Sequence, residues 1–243
     1  MTVINEIYNY ENKVAVITGG SRNIGKNVAN ALIEKGAKVI IGDILDREGQ
    51  KTVEEFNSRV GKHVASFLHT DVTKYKDLME LFQLAENTFG GVDIVFLNAG
   101  ITLDHDILLD PLDDEQDEKI MNVNTMGIIK GTKVAVRHLN KRGGGVIVAT
   151  SSALGLEAYS YTSMYNASKH AVVGWIKSFE HLPSVCNVRI NAVCPYAVET
   201  DFLKQFPKPM VRLTQSINSI PVDMDTVIKA VILLIEDKKR NGN

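Results

Sequence analysis

The sequence predicts an α/β fold, a doubly wound parallel sheet with helices on both faces in three layers. Short β-branched runs alternate with longer periodic segments, the pattern of strands joined by crossover helices. The chain has 243 residues, 44% of them hydrophobic and 23% charged, enough to bury one substantial core. No internal repeat or low-complexity tract interrupts the pattern, so residues 1–243 are read as one domain, with 1–11 as an N-terminal extension.

The first strand is expected at residues 14–18, within Lys13-Val14-Ala15-Val16-Ile17-Thr18. It runs into Gly19-Gly20-Ser21-Arg22-Asn23-Ile24-Gly25 and then the helical Asn27-Val28-Ala29-Asn30-Ala31-Leu32-Ile33-Glu34. A strand, a glycine-rich turn and a helix start gather unpaired N–H groups at the positive end of a helix dipole, which is a cradle for a pyrophosphate. A second strand, 38–42, ends in Asp43, about where a dinucleotide fold places the carboxylate for the ribose hydroxyls. The third is expected at 64–68, followed by Thr73 as N-cap of a helix starting near Lys74; a glycine stop at 85–91 ends that helix. The fourth strand is expected at 93–97. Residues 104–117 turn acidic and read as a solvated loop before a long helix, the alternative being a charge that repels anionic substrates. A fifth strand at 145–150 leads into Ser151 and Ser152, a sixth lies at 188–193, and a last helix covers 227–237.

Tyr165-Asn166-Ala167-Ser168-Lys169 puts a phenol and an ammonium on one helix face. A cation beside a phenol favours phenolate, drawing a group with an ordinary pKa of about 10 toward working pH, so Tyr165 is a candidate acid or base. Ser152, at the end of the fifth apolar run, is placed to aim a hydroxyl at the same reacting oxygen.

With these motifs in order, the chain resembles the classical short-chain dehydrogenase/reductase family over residues 12–202. Thr18-Gly19-x-x-x-Asn23-x-Gly25 matches its glycine turn, Asn98-Ala99-Gly100 its Asn-Ala-Gly, and Asn124 its active-site asparagine. Ser152, Tyr165 and Lys169 match its serine and Tyr-x-x-x-Lys pair, and residues 195–200 match its Pro-Gly segment. Ala167-Ser168-Lys169-His170-Ala171-Val172-Val173-Gly174 and Leu233-Leu234-Ile235-Glu236-Asp237 look most like the NAD-dependent hydroxyprostaglandin dehydrogenase branch. Two positions depart from the pattern. Asn23 replaces the middle glycine, a substitution that tolerates a left-handed backbone and adds a side chain near the phosphates. Tyr196 replaces the glycine after Pro195, and its ring either shapes the pocket or obstructs it. The resemblance also implies a seventh strand after the 227–237 helix, for which the sequence up to Asn243 supplies no segment.

The resemblance implies a Rossmann-like fold and an oxidoreductase that transfers a hydride to or from the B face of a nicotinamide. Tyr165 is then the general acid/base and Lys169 its tuner and ribose ligand; Ser152 bonds the substrate oxygen, and Asn124 holds a water on the proton's way out. Gly19, Ser21, Arg22, Asn23, Ile24 and Gly25 surround the phosphates, with Ile24 offering its backbone. Asp71 and Val72 meet the adenine; Asn98, Ala99 and Gly100 line the cofactor with Pro195 and Val198, and Thr200 meets the carboxamide. Asp43 favours NAD by repelling a 2′-phosphate, whereas Arg22 points toward NADP, leaving NADP as the second choice. Leu154, Leu156, Tyr159, Tyr161, Tyr196 and Phe202, with Ser152 and Tyr165, suggest an apolar, aromatic pocket for a lipophilic secondary alcohol or ketone. Residues 207–219, within 203–222, are expected to form a mobile segment covering it. The other readings are an NADP-dependent 3-oxoacyl-thioester reductase and a non-catalytic dinucleotide-binding regulator. A homodimer or homotetramer follows from the family likeness.

A net charge of −2 without a basic block argues against a nucleic-acid surface. No stretch has the length of a membrane span, and the amino terminus lacks a signal peptide's pattern, so a cytoplasmic protein is expected. Cys186 and Cys194 read as reduced, packed hydrophobes. The histidines show no metal-ligand spacing, so no metal is expected, and His170 reads as a helix-surface residue. Asp43 can also be an ordinary strand-end turn residue, and Asn98 is as much a structural bridge as a cofactor contact. Ser151 competes with Ser152 for the catalytic place. Asn166-Ala167-Ser168 reads as an accidental glycosylation match.

Overall fold

Consecutive strand residues face opposite sides of a sheet, and here both sides are apolar because both are covered. In the computed structural model, which describes residues 8–102, 113–160, 162–198 and 222–242, Ala15 and Ile17 enter one core while Val14 and Val16 enter the other. The strands are β1 (Val14–Thr18), β2 (Lys38–Asp43), β3 (Ala65–His69), β4 (Ile94–Leu97), β5 (Gly145–Thr150) and β6 (Val188–Val193). They pair in parallel in the order β3-β2-β1-β4-β5-β6.

Helices α1 (Asn23–Glu34) and α2 (Asp46–Val60) pack on one face together with the last helix. On the other face lie α3 (Tyr75–Phe89), then, after α4 (Asp114–Met121), α5 (Gly127–Lys141) and α6 (Ser163–Lys177). A short α7 (Leu182–Cys186) precedes β6, and α8 (Met224–Glu236) is the last helix of the first face. Leu32, Ile41, Phe96 and Ile235 fill the first core; Leu81, Phe82, Leu139 and Ile190 fill the second. The strand order reverses between β1 and β4, which opens a crevice at their carboxyl ends, the place where sheets of this kind bind ligands.

All six expected strands form, with shifted ends: β2 includes Asp43, β3 is Ala65–His69 rather than 64–68, and β4 begins at Ile94 rather than residue 93. Helix α1 begins at Asn23, inside the glycine turn, instead of at Asn27. The glycine stop after α3 holds: Gly90, at φ 87°, donates its N–H to the Glu86 carbonyl. Thr73 does not cap that helix. Lys74 is the N-cap, without a side-chain cap bond, and the Thr73 hydroxyl bonds the Asp71 carboxylate at 2.7 Å instead. The acidic run is only partly the expected loop, since Asp114, Glu115 and Asp117 form the first turn of α4, where negative charge suits the helix dipole, and Asp113 caps it through the Gln116 N–H. Residues 103–112 of that run lie outside the described residues, as do 199–221, which contain the expected covering segment, Thr200 and Phe202; Tyr161 lies outside as well.

The sheet has six strands among the described residues, and the chain end lies along β6 where a seventh was in question. Gly242 donates to the Ile190 carbonyl at 2.8 Å, and Asn241 Oδ1 accepts the Ile190 N–H at 2.8 Å. Arg189 on β6 donates through Nη1 to the carbonyls of Leu234, Asp237 and Arg240 and through Nη2 to Ile235, a cation closing the carboxyl end of α8. At the other end of the chain, Tyr10 is buried and its hydroxyl reaches Glu236 at 2.9 Å, docking the N-terminal extension on α8. Among the described residues, no helix is long and apolar enough to cross a membrane.

Candidate active site

The turn after β1 is shaped by close backbone approach. Gly19 has φ 65°, and a Cβ there would sit 2.8 Å from Ala99 Cα; a Cβ on Gly25 would sit 2.1 Å from the Gly19 carbonyl oxygen. Asn23, at φ 49°, takes the left-handed backbone expected where the family pattern has glycine. Its carbonyl accepts from Asn27 Nδ2 at 2.8 Å, so an asparagine four residues on steadies the turn. Arg22, exposed and extended, is the N-cap of α1 and makes no side-chain cap bond, leaving the first N–H groups of a helix of 12 residues uncapped by side chains. The Ser21 hydroxyl is buried there with no hydrogen-bond partner. Uncapped donors, a partnerless buried hydroxyl and glycines that no Cβ could replace are what an anionic pyrophosphate cradle needs, so the residues fit a dinucleotide.

Asp43 closes this turn from β2. Its Oδ2 accepts the Ser21 N–H at 3.0 Å and its Oδ1 the Leu45 N–H at 3.2 Å. The turn role and the ribose role are compatible, because a carboxylate has about four acceptor sites. Ile44, the next residue, is 60% exposed, an apolar side chain beside this carboxylate that the motif reading passed over. Asp71 is spent locally: Thr73 and Lys74 bond its carboxylate. Burial pushes Asp71 up, but the Thr73 bonds and the Lys74 ammonium outweigh it and hold the carboxyl below its ordinary range. Val72 is buried in the second core, packed against Gly127. Asn98 is a bridge: Nδ2 donates to the Gly19 carbonyl at 3.0 Å, and Oδ1 accepts from Thr150 Oγ1 at 3.1 Å, tying β1, β4 and β5 together. Thr18, left out of the candidate set, holds the same corner by accepting the N–H groups of Asn98 and Ala99.

Ser152 lies two residues beyond β5, which ends at Thr150, so it caps a 3-10 turn (Ala153–Gly155) rather than closing the strand. Its Oγ accepts the Leu154 N–H at 3.1 Å and shares a hydrogen bond with the Tyr165 phenol. The Ser151 hydroxyl donates instead to the Lys169 carbonyl at 2.9 Å. Tyr165 is 6% exposed and Lys169 3%. Lys169 Nζ lies 5.5 Å from the Tyr165 ring centroid and donates to the Thr150 carbonyl at 3.1 Å. Here the electrostatic expectation needs correction. Burial pushes Tyr165 up, with only the Ser152 bond opposing it, and burial brings Lys169 down to about 8, against a small upward effect of Cys194. Removing both groups from water outweighs their mutual attraction in the protein by itself.

Asn124 sits in a π turn (Asn122–Met126) that separates α4 from α5, an irregularity that recurs at functional sites. Fully buried, it accepts the Ile101 N–H at 2.8 Å through Oδ1, and its Nδ2 donates to the Ile101 carbonyl at 2.9 Å and to Ser168 Oγ at 3.1 Å. Ser168 in turn donates to the Tyr165 carbonyl at 2.8 Å. A Cβ on Gly100 would come within 3.3 Å of Asn124 Oδ1 and 3.5 Å of Lys169 Nζ, so a glycine there lets the strand end approach both. Ser168 and Thr125, which bonds the Ser168 carbonyl, lie at the candidate site although spacing alone did not single them out.

Leu154 and Tyr159 pack with Tyr165 and Ile120 in a small cluster. Leu156 is 59% exposed. Pro195 accepts the Ala153 N–H through its carbonyl at 2.9 Å, joining the segment after β6 to the segment after β5. Tyr196 is 54% exposed at that junction, and Val198 is buried and bridges to Val222. Both cysteines are free, and burial pushes the Cys194 thiol up against the opposing effects of Ser151, Ser152 and Lys169, which places it closer to the site than a simple packing role required. His170 is exposed, and Asn166 is buried with its side chain bonded to Thr162 and the Tyr159 carbonyl, a poor acceptor for a glycan. Among the described residues no His, Cys, Asp or Glu grouping is set to hold a metal ion.

A doubly wound parallel sheet with a glycine turn at its switch point, and a serine, tyrosine and lysine gathered beside it, defines a class of α/β oxidoreductases that use a nicotinamide dinucleotide. The short chain dehydrogenase family matches residues 13–210, and the chain belongs to it. An uncharacterized oxidoreductase of Thermotoga maritima is 36% identical over 218 residues, 88% of this chain and 84% of the relative. The NAD-dependent 15-hydroxyprostaglandin dehydrogenase of Bos taurus is 30% identical over 245 residues, 95% of this chain and 88% of the relative. Other branches match equally well, so the likeness to the prostaglandin branch expected from 167–174 and 233–237 does not single it out. The crystal structure of 3-ketoacyl-(acyl-carrier-protein) reductase from Brucella melitensis complexed with NADH superposes with a TM-score of 0.86 at 26% identity, covering 96% of this chain and 95% of that one.

Proposed function

We propose that the protein is an NAD-dependent oxidoreductase that interconverts a lipophilic secondary alcohol and its ketone. The observation that carries this reading is the meeting of buried Tyr165, buried Lys169 and half-buried Ser152 at the carboxyl end of the sheet: Lys169 Nζ lies 5.5 Å from the Tyr165 ring centroid and donates to the Thr150 carbonyl at 3.1 Å, two residues before Ser152, with Asn124 within reach of the same glycine as the lysine. Removing a hydride from a carbinol carbon requires that the hydroxyl proton leave with it. In the reducing direction the Tyr165 phenol, which burial keeps protonated, gives its proton to the ketone oxygen; in the oxidising direction the phenolate, its own proton already passed to solvent, takes the alcohol proton, and in both Ser152 Oγ donates to the substrate oxygen and steadies its changing charge. Lys169, poised near neutrality, passes the proton onward, and Asn124 shapes its exit by holding both backbone groups of Ile101. The nicotinamide, when bound, supplies the hydride acceptor, and the B-face assignment is carried over from the family.

Gly19, Ser21, Asn23, Ile24 and Gly25 would hold the phosphates, and Asp43 the ribose diol. Ile44, Asp71 and Val72 would lie toward the adenine, and Asn98, Ala99, Gly100, Pro195, Val198 and Thr200 toward the nicotinamide end. Asp43 favours NAD because its charge opposes a 2′-phosphate. Leu154, Tyr159, Tyr196 and Phe202 are proposed to line the substrate side. Residues 1–243 are taken as a single domain that works in the cytoplasm as a homodimer or homotetramer.

A second reading, reduction of 3-oxoacyl thioesters with NADP, is favoured by the overall likeness to the Brucella reductase and by exposed Arg22 beside the phosphate cradle. A non-catalytic regulator is disfavoured by the complete set of Ser152, Tyr165 and Lys169. The deciding experiment titrates NAD and NADP by fluorescence and then screens secondary alcohols for NADH formation, with Tyr165→Phe as control. Turnover with NAD that Tyr165→Phe reduces by about 10²- to 10⁴-fold supports the proposal; preference for NADPH and acyl thioesters selects the second reading, and dinucleotide binding without turnover on either substrate class selects the regulator.

A further inference from the structure

Tyr196, which replaces the family's glycine, meets a residue that neither motif nor family pattern marked. Its hydroxyl lies 3.5 Å from Glu157 Oε1, while the Tyr159 hydroxyl lies 3.4 Å from Glu157 Oε2. The two phenols come from different segments: Tyr196 follows β6, and Tyr159 lies between the 3-10 turn and α6. Both segments are anchored next to the catalytic residues. The Pro195 carbonyl holds the Ala153 N–H, and the Tyr159 carbonyl accepts Asn166 Nδ2 at 2.7 Å and Thr162 Oγ1 at 3.3 Å. Tyr159 also packs in the cluster that contains Leu154 and Tyr165.

The carboxylate between these rings is far from saturated. Hydroxyl bonds of 3.4 and 3.5 Å are long against the usual 2.5–3.0 Å, so each phenol engages only part of an oxygen's acceptor capacity. No lysine or arginine among the described residues pairs with Glu157. Desolvation, and then the Glu157 charge, push the Tyr159 phenol up. Glu157 is exposed and, among the described residues, pairs with no cation, so its carboxylate, held by two phenol hydroxyls beside the proposed site, attracts one chemical class above others, a cationic nitrogen.

We propose that Glu157, Tyr159 and Tyr196 form a specificity rim that selects substrates carrying a cationic nitrogen beyond the reacting carbinol. The proposal rests on the alcohol–ketone reading and refines it: an apolar inner pocket at Leu154, and a charged group held at the mouth. Tyr196 then shapes the site rather than obstructing it.

The test compares a secondary alcohol bearing a trimethylammonium group with its tert-butyl isostere, which has the same shape without the charge. Wild-type protein should show a kcat/KM higher for the cation by about fivefold or more at low ionic strength, and Glu157→Gln and Tyr196→Gly should each bring the ratio toward one. Equal rates for the two alcohols in the wild type, or an unchanged ratio in Glu157→Gln, would overturn the rim. Calorimetric binding of tetramethylammonium, measured on the same variants, tests the rim without turnover. Binding that weakens in Glu157→Gln supports it even if no alcohol is oxidised, in which case the alcohol–ketone reading alone fails; binding that is absent or insensitive to Glu157 counts against the rim.

Discussion

Asn124 Nδ2 reaches Ser168 Oγ at 3.1 Å, and this one bond joins the π turn before α5 to the turn of α6 that carries both Tyr165 and Lys169. Since Ser168 also donates to the Tyr165 carbonyl, its hydroxyl couples the asparagine to the backbone of the proposed acid/base.

Replacing that hydroxyl should therefore be felt in stability and in catalysis. Ser168→Ala leaves a buried amide N–H of Asn124 without its serine partner, and should cost about 1–3 kcal/mol in urea unfolding. A fall in kcat with KM little changed is expected alongside, whereas a variant as stable and active as wild type would remove Ser168 from the positioning network.

Asp43 combines a fold bond with a charge. Asp43→Asn keeps an acceptor for one of the Ser21 and Leu45 N–H groups while removing the negative charge, and should raise the NADP-to-NAD preference by about tenfold. Asp43→Ala should raise it too, with lower stability because both N–H groups lose their acceptor. The ratio of kcat/KM values for the two cofactors is the readout; if it does not move in either variant, the carboxylate has no part in cofactor choice.

Lys169 gives stability a defined pH dependence. Its pKa in the folded protein is brought to about 8, from an ordinary value of 10.5, so between these pH values the unfolded chain binds more protons and stability rises with pH. Below about pH 8 both states are protonated and the cost of the buried charge is fully present. Tyr165 acts in the opposite sense: because burial raises its pKa above the ordinary 10.0, the unfolded phenol ionises first and stability falls above that pH. Urea midpoints of wild type should rise from pH 8 toward pH 10, and Lys169→Met should flatten that rise. An equal slope in the variant would assign it to other groups.

Asn23 holds a left-handed backbone at the phosphate turn. Asn23→Gly should leave stability within about 1 kcal/mol of wild type, while Asn23→Ala should lose roughly 1–2 kcal/mol from its Cβ in that conformation. Equal stability in all three proteins would mean that the turn relaxes out of the left-handed region. Comparing NAD affinity for the Gly variant with wild type then isolates what the asparagine side chain contributes near the phosphates.

The order and type of the elements were legible because they depend on neighbours in the chain. The unbroken apolar run Val14-Ala15-Val16-Ile17 makes a strand that is covered on both faces, glycines at 19 and 25 permit the turn, and the spacing of Tyr165 and Lys169 places both on one helix face. Exact ends were less legible, because Thr73 had to choose between capping α3 and bonding Asp71, and that competition is settled by local contacts rather than propensity.

Local spacing thus determined by itself the α/β class, the glycine turn after β1, and Ser152, Tyr165 and Lys169 as the residues to examine, while the family resemblance added Asn124. Only the tertiary structure decided that Ser151 serves the Lys169 carbonyl while Ser152 faces the phenol, that Asn124 is held by Ile101 and Ser168, and that Glu157 stands between Tyr159 and Tyr196. It also decided the electrostatics, reversing the expected effect on Tyr165. Spacing sets which way a side chain leaves its own helix or strand, but burial and hydrogen-bond partners come from segments far apart in the chain, and these set the cost of charge and the partner of each polar atom.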